Sequence, residues 1–216
     1  MEARSRNRRR GGLLLVVAIA VAALLVPAGE SATDTTPASA SPAGPEQARN
    51  LAQGAPVIGG GSVTSITPAQ AYSAALEPAT ISEVDNGLTL QQAVGLSSSS
   101  VALASAVVNC WRWVPSVQWG TWPYQQKVYN DVSWCAAYGD HITSWSSHVS
   151  LGAFLCNPSG PYGYKQVGGV GAGIVRLRAG GYFGCPTAVP WITYHYSRWF
   201  DTSFYTRGSA AIVAIS

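Results

Sequence analysis

Charge is scarce in this chain: Asp, Glu, Lys and Arg make up only 11% of its 216 residues. That is too little for a coiled coil, while 47% hydrophobic residues is too much for a wholly disordered chain. No sustained alternation of strand and helix patterns is present, which removes the usual α/β enzyme. Cys-x-x-Cys, His-Glu-x-x-His, Gly-x-Ser-x-Gly and Walker-type loops are all missing. Zinc-ribbon, zincin, nucleophile-elbow and phosphate-loop chemistry therefore have no support. From Asn109 onward there is no Glu, so Asp131, Asp140 and Asp201 are the only carboxylate side chains. A glycosidase needs two carboxylates at one site. Asp131 and Asp140 flank a predicted strand at 132–138, which would hold them apart.

The net charge of +3 conceals three regions. Residues 1–28 carry five arginines against Glu2, residues 29–108 carry Arg49 against six acids, and residues 109–216 carry seven cations against three aspartates. No long basic run exists beyond the N-terminus, so the sequence gives nucleic-acid binding no electrostatic footing. The arginines at 4–10 precede the apolar run Leu13–Val26, the pattern of a secretory signal peptide over residues 1–28. An uncleaved anchor is the alternative, and the only membrane contact expected is through this segment. Both readings place the remainder outside the cytoplasm.

Residues 29–108 are rich in Ala, Ser, Thr, Pro and Gly, a composition that reads as a flexible, low-complexity linker. Two short helices are expected within it. One covers 68–76, where Thr67 offers a capping hydroxyl and Pro68 suits the first helical position. The other covers 90–95, after Thr89.

Composition then changes abruptly. All eight Trp, all four Phe, all four Cys and nine of ten Tyr fall within residues 109–216. Short β-branched and aromatic runs punctuated by Gly and Pro predict strands at 124–130, 132–138, 141–149, 151–156, 164–167, 172–178, 190–197 and 209–215. Tyr138-Gly139-Asp140 and Asn157–Pro161 read as turns. Val175 and Leu177 are expected to face inward and Arg176 and Arg178 outward, and the last strand, apolar on both faces, is expected inside a sheet. The expected fold is all-β: a small sandwich or barrel stabilised by disulfides. Cys110, Cys135, Cys156 and Cys185 form two bridges in an exported protein, with three pairings open. Each bridge contributes about 3 kcal/mol in the chain-entropy view.

A domain of this size cannot bury every large ring, so some aromatic residues are expected to face a partner. The best local cluster is Trp119, Trp122 and Tyr124, which Gly120 and Pro123 mark as loop-like; Tyr162 and Tyr164 are further candidates. Flat rings suit the apolar C–H faces of sugars, which points to a glycan or cell-wall polymer. Trp134, beside Cys135, reads as core packing against a disulfide. His141, His148 and His195 form no metal-binding pattern, and no metal or cofactor is expected. His195 with Asp201 and a serine is the remaining catalytic combination. Gly168–Gly173 departs from both phosphate-loop patterns and reads as a bulged start to a strand.

The run Tyr129-Asn-Asp-Val-Ser-Trp-Cys135, with Gly139, Ile142-Thr143 and Cys185-Pro-Thr-Ala-Val-Pro-Trp191, resembles a pattern in small secreted proteins of high-GC Gram-positive bacteria (actinobacteria). The resemblance covers roughly residues 110–200. It implies export and a β-rich domain and supplies no catalytic residues. The reading is a cell-envelope or secreted binding module, with carbohydrate as the first ligand class. A structural or protein-interaction module and a small secreted hydrolase are the alternatives.

Overall fold

The computed structural model describes residues 41–76, 78–84 and 108–216. The expected signal peptide, the start of the linker and the helix at 90–95 lie outside the described residues. Among the described residues eleven strands form two antiparallel sheets. The long strand β6 (Gln126–Ala137) organises the first. Along one side it pairs with β7 (Ile142–Ala153). Along the other it pairs end to end with β4 (Val108–Trp113) and β5 (Pro115–Trp119), which share one register interrupted at Val114. β1 (Val57–Gly60) and β2 (Thr64–Ile66) continue the sheet beyond β5 and β4, and β3 (Ile81–Val84) closes it beyond β7. The second sheet is a meander of β8 (Asn157–Gly168), β9 (Ile174–Pro186), β10 (Thr193–Tyr205) and β11 (Ala210–Ile215).

Alternation explains how the sheets meet. Val128, Val132, Trp134 and Ala136 project from one face of β6, and Val175, Leu177, Ala179 and Phe183 from one face of β9. All eight are fully buried. With Phe200 and Phe204 of β10 they form the two clusters between the sheets. Val175 and Leu177 thus face inward as the sequence suggested. Trp134 is core too, but its neighbours are Trp111 and Phe204, with ring centroids 5.8 and 4.8 Å away. Cys135, next in the chain, points to the opposite face and packs with Ala71.

Within the expected linker, residues 45–76 and 78–84 prove to be part of the folded unit. Helix α1 (Pro45–Ala52) buries Ala48 and Ala52 at one end of the core. Its approach is fixed by polar bonds: the Ala43 amide donates to Tyr124 Oη (2.6 Å) and the Thr121 amide to the Leu51 carbonyl (2.9 Å). Helix α2 (Pro68–Ala75) matches the helix expected at 68–76 and lies on the outer face of the first sheet, near Cys110 and Cys135. Its first turn carries a reciprocal cap: the Gln70 amide donates to Thr67 Oγ1 (3.3 Å) and the Thr67 amide to Gln70 Oε1 (2.9 Å).

Other expectations change for physical reasons. The predicted pairs 124–130/132–138 and 141–149/151–156 are single strands, β6 and β7, and Asn157–Pro161 lies inside β8 rather than in a turn. There the register slips between Ser159 and Tyr162, a bulge that an edge strand tolerates with Gly160 and Pro161. Several glycines that read as punctuation are strand interior. A Cβ on Gly180 would lie 2.5 Å from Tyr162 Oη, and one on Gly181 would strike Leu151. Strand β11 is an edge rather than an interior strand. Residues 169–173 form the turn between β8 and β9, with no helix after it.

The bridges are Cys110–Cys135 and Cys156–Cys185. The first joins directly opposed residues of β4 and β6. The second joins β9 to the chain just before β8, beside the Asn157–Gly184 pair. Two such bridges match an oxidising compartment. Among the described residues no helix is long and apolar enough to cross a membrane.

Strand β3 is tied to both sheets by one carboxylate. Glu83 Oε2 accepts from Trp145 Nε1 and from Lys165 Nζ, each at 2.8 Å. Burial raises the Glu83 pKa, but the Lys165 and Trp145 bonds outweigh it, so the net shift is downward. A carboxyl lowered in the folded state stabilises at pH above its unfolded value and loses that contribution as pH falls through the folded value. Glu83→Gln is expected to cost about 1 kcal/mol near neutrality, after allowance for solvent screening. It should also flatten the acid limb of the stability curve. Thermal melts of both proteins from neutral pH to about pH 3 check this; parallel curves would contradict it.

Candidate functional site

The outer face of the second sheet carries its aromatic side chains in register. Tyr162 of β8, Gly180 of β9 and Trp199 of β10 form one cross-strand row. Tyr164, Arg178 and Asp201 form the next, and Ser159, Tyr182 and Ser197 lie on the other side. Because Gly180 has no side chain, the Tyr162 ring lies across it. It stacks on Tyr164 with centroids 6.4 Å apart and planes 19° apart, and lies 5.7 Å from Tyr182. Tyr164 and Tyr182 are 46% and 54% exposed, so a continuous phenol surface meets solvent.

The other side of the face is fixed by charge. Arg178 donates to both oxygens of the buried Asp201, at 2.7 and 2.9 Å, and its guanidinium lies 3.6 Å over the Trp199 ring. The Asp201 hydrogen bonds hold Arg178 firmly in its charged form, raising its pKa despite the desolvation that opposes it. A paired guanidinium stacked on an indole immobilises both groups. His195 and Ser197 stand exposed on the same face. The result is a rigid aromatic surface edged by hydroxyl, imidazole and ion-pair groups, all set on strands.

The structure redistributes the residues singled out from sequence. Tyr162 and Tyr164 are brought together. Trp119 and Tyr124 are core residues, 1% and 0% exposed, which corrects the expectation that they project with Trp122. Trp119 lies on the inner face of β5 and donates to the Ser216 carbonyl (3.0 Å). Tyr124 turns inward to receive the Ala43 amide. Trp122 remains outside, 55% exposed, and pairs with Phe154 at 6.0 Å.

The catalytic combination also comes apart. His195 and Asp201 share a face of β10 but lie six residues, roughly 20 Å, apart, and Asp201 is held by Arg178. His141 does meet Asp140, at 2.9 Å, in an exposed turn. No group of three or more metal-ligating side chains occurs among the described residues.

No family model, curated protein or solved structure matches this chain. The site is accordingly read from its own geometry. Sequence reasoning missed Tyr182, Arg178 and Trp199. The signal was present in the alternation of Arg176, Arg178, Gly180 and Tyr182, but only the register with β10 places Trp199 beside them.

Proposed function

We propose that this protein is an exported binding module that holds a glycan or cell-wall polymer on the outer face of its second sheet. The observation that carries the reading is the run of Tyr164, Tyr162 and Tyr182 rings along that face, two of them about half exposed. Sugar rings present apolar C–H faces that stack on flat π systems, and their hydroxyls need donors and acceptors at the rim. Arg178, Ser197 and His195 supply the rim, with Arg178 fixed in place by the buried Asp201. Val167 is the one large aliphatic side chain exposed on β8 and β9, which favours a carbohydrate over an apolar protein partner. Disulfides and the Arg-led apolar N-terminus agree with export.

Co-sedimentation with insoluble peptidoglycan and with chitin tests the reading. The native protein is expected to pellet with at least one of them. Tyr164→Ala and Tyr182→Ala should each weaken binding roughly tenfold, with unchanged melting temperatures. The pair Trp122 and Phe154 favours a second reading, docking to a protein. Loss of pelleting in Trp122→Ala with retention in both tyrosine variants would move the polymer site to Trp122 and Phe154 and overturn the tyrosine-face assignment; no pelleting with either polymer would leave protein docking as the reading.

A further inference from the structure

A second site lies on the opposite side of the molecule, where α2 crosses the outer face of the first sheet. There Asp131 and His148 oppose each other on β6 and β7, and Ser133 and Ser146 form the next pair. Arg112 of β4 stands opposite Ser133. Its Nε donates to Asp131 Oδ1 at 2.8 Å, and its Nη2 also meets the Asp131 carboxylate. With Ile66, Gln70 and Thr80, these groups line an open cleft of about 190 Å³, roomy enough for several waters.

The polar atoms of this cleft are unusually short of partners. Ser133 is 2% exposed and its Oγ has no hydrogen bond. Thr80 Oγ1 and His148 Nδ1 are likewise buried and unpartnered. The three residues that carry these atoms, from β6, β7 and the segment leading into β3, all line the same cleft. A buried polar group left unsatisfied is destabilising. Such groups are normally completed by ordered water or by a ligand.

The lining selects the ligand class. Arg112 and Asp131 neutralise each other, which leaves no surplus charge for an anion or a cation. One carboxylate and one imidazole are too few for a metal site. The unmatched atoms are two hydroxyls and an imidazole nitrogen, which together can donate and accept. We infer that the cleft binds a small neutral polyhydroxyl ligand, a single sugar unit or polyol. The site does not depend on the aromatic face of the other sheet.

Titration of the ¹⁵N-labelled protein with D-glucose, N-acetylglucosamine and glycerol, with inorganic phosphate and glycine as charged controls, followed by amide chemical shifts, tests this. At least one is expected to perturb Thr80, Ser133 and His148. Ser133→Ala and Thr80→Val should each weaken that binding about fivefold to tenfold. Their melting temperatures should hold or rise, because each removes an unsatisfied hydroxyl. The stability readout separates loss of a ligand contact from loss of the fold. No perturbation of the cleft by any of the three, a response to inorganic phosphate or glycine alone, or unchanged affinity in both variants would overturn the inference. These variants leave the tyrosine face intact, so polymer co-sedimentation fails or succeeds independently.

Discussion

Trp134→Ala is expected to destabilise the protein by about 4 kcal/mol and to lower Tm by roughly 10 °C. Trp134 is fully buried where both sheets meet, between Trp111 and Phe204. Its Nε1 donates to the Tyr205 carbonyl at 3.1 Å. Truncation removes a large apolar surface, opens a cavity walled by rigid strands and deprives that carbonyl of its indole donor. Trp191, 84% exposed, is the control: Trp191→Ala should stay within about 0.5 kcal/mol of the native protein. Chemical denaturation of the two variants measures the contrast. Equal stabilities would contradict this assignment of the core.

The second large effect is expected at Arg198. Its Nε donates to Gln126 Oε1 at 2.9 Å and its Nη2 to the Ala52 carbonyl at 2.8 Å. Neither acceptor is a carboxylate. Burial pulls its pKa below the ordinary arginine value, and stacking against Tyr196, with Trp119 nearby, surrounds the charge with rings. A cation at the last carbonyl of α1 also complements the helix dipole. Arg198→Met keeps the apolar stem but strands Gln126 Oε1 and leaves the Ala52 carbonyl with only its bond from Gln126 Nε2 (3.1 Å). The expected cost is about 2–3 kcal/mol. Hydrogen exchange should show α1 opening at lower free energy than β6 and β9. Exchange that rises uniformly, or not at all, would mean that Arg198 does not hold the helix.

These two residues mark what was legible in the sequence. The β class, the two bridges, the inward Val175 and Leu177 and helix α2 follow from local rules of alternation, cysteine chemistry and capping. Helix α1 does not. Pro45–Ala52 offers only Ala48, Ala52 and Leu51 to a core, and its anchor Arg198 lies 146 residues from Ala52. Strands β1, β2 and β3 have three or four residues each, too few for a periodic pattern. They exist because β5, β4 and β7 offer edges to pair with. The sequence reading also assigns no strand to 108–119, where β4 and β5 depend on β6 for their partners.

The candidate site divides in the same way. Trp119, Trp122 and Tyr124 look like one exposed cluster because they are close in sequence. Direction on β5 and the turn after it sends the first and third inward. Tyr162 and Tyr164 share a face because they are two residues apart on β8, which is local information. Tyr182, Arg178 and Trp199 join them only through the registers of three strands. The polar cleft is harder still to read, since Thr80, Arg112, Ser133 and His148 come from four separate segments.

Glycan binding is the proposed role of the tyrosine face. A chito-oligosaccharide or soluble peptidoglycan fragment titrated into the ¹⁵N-labelled protein tests it most directly. Amide shifts concentrated at Tyr162, Tyr164, Tyr182 and Trp199 are predicted. No saturable shift with either ligand, or shifts confined to Trp122 and Phe154, would contradict it.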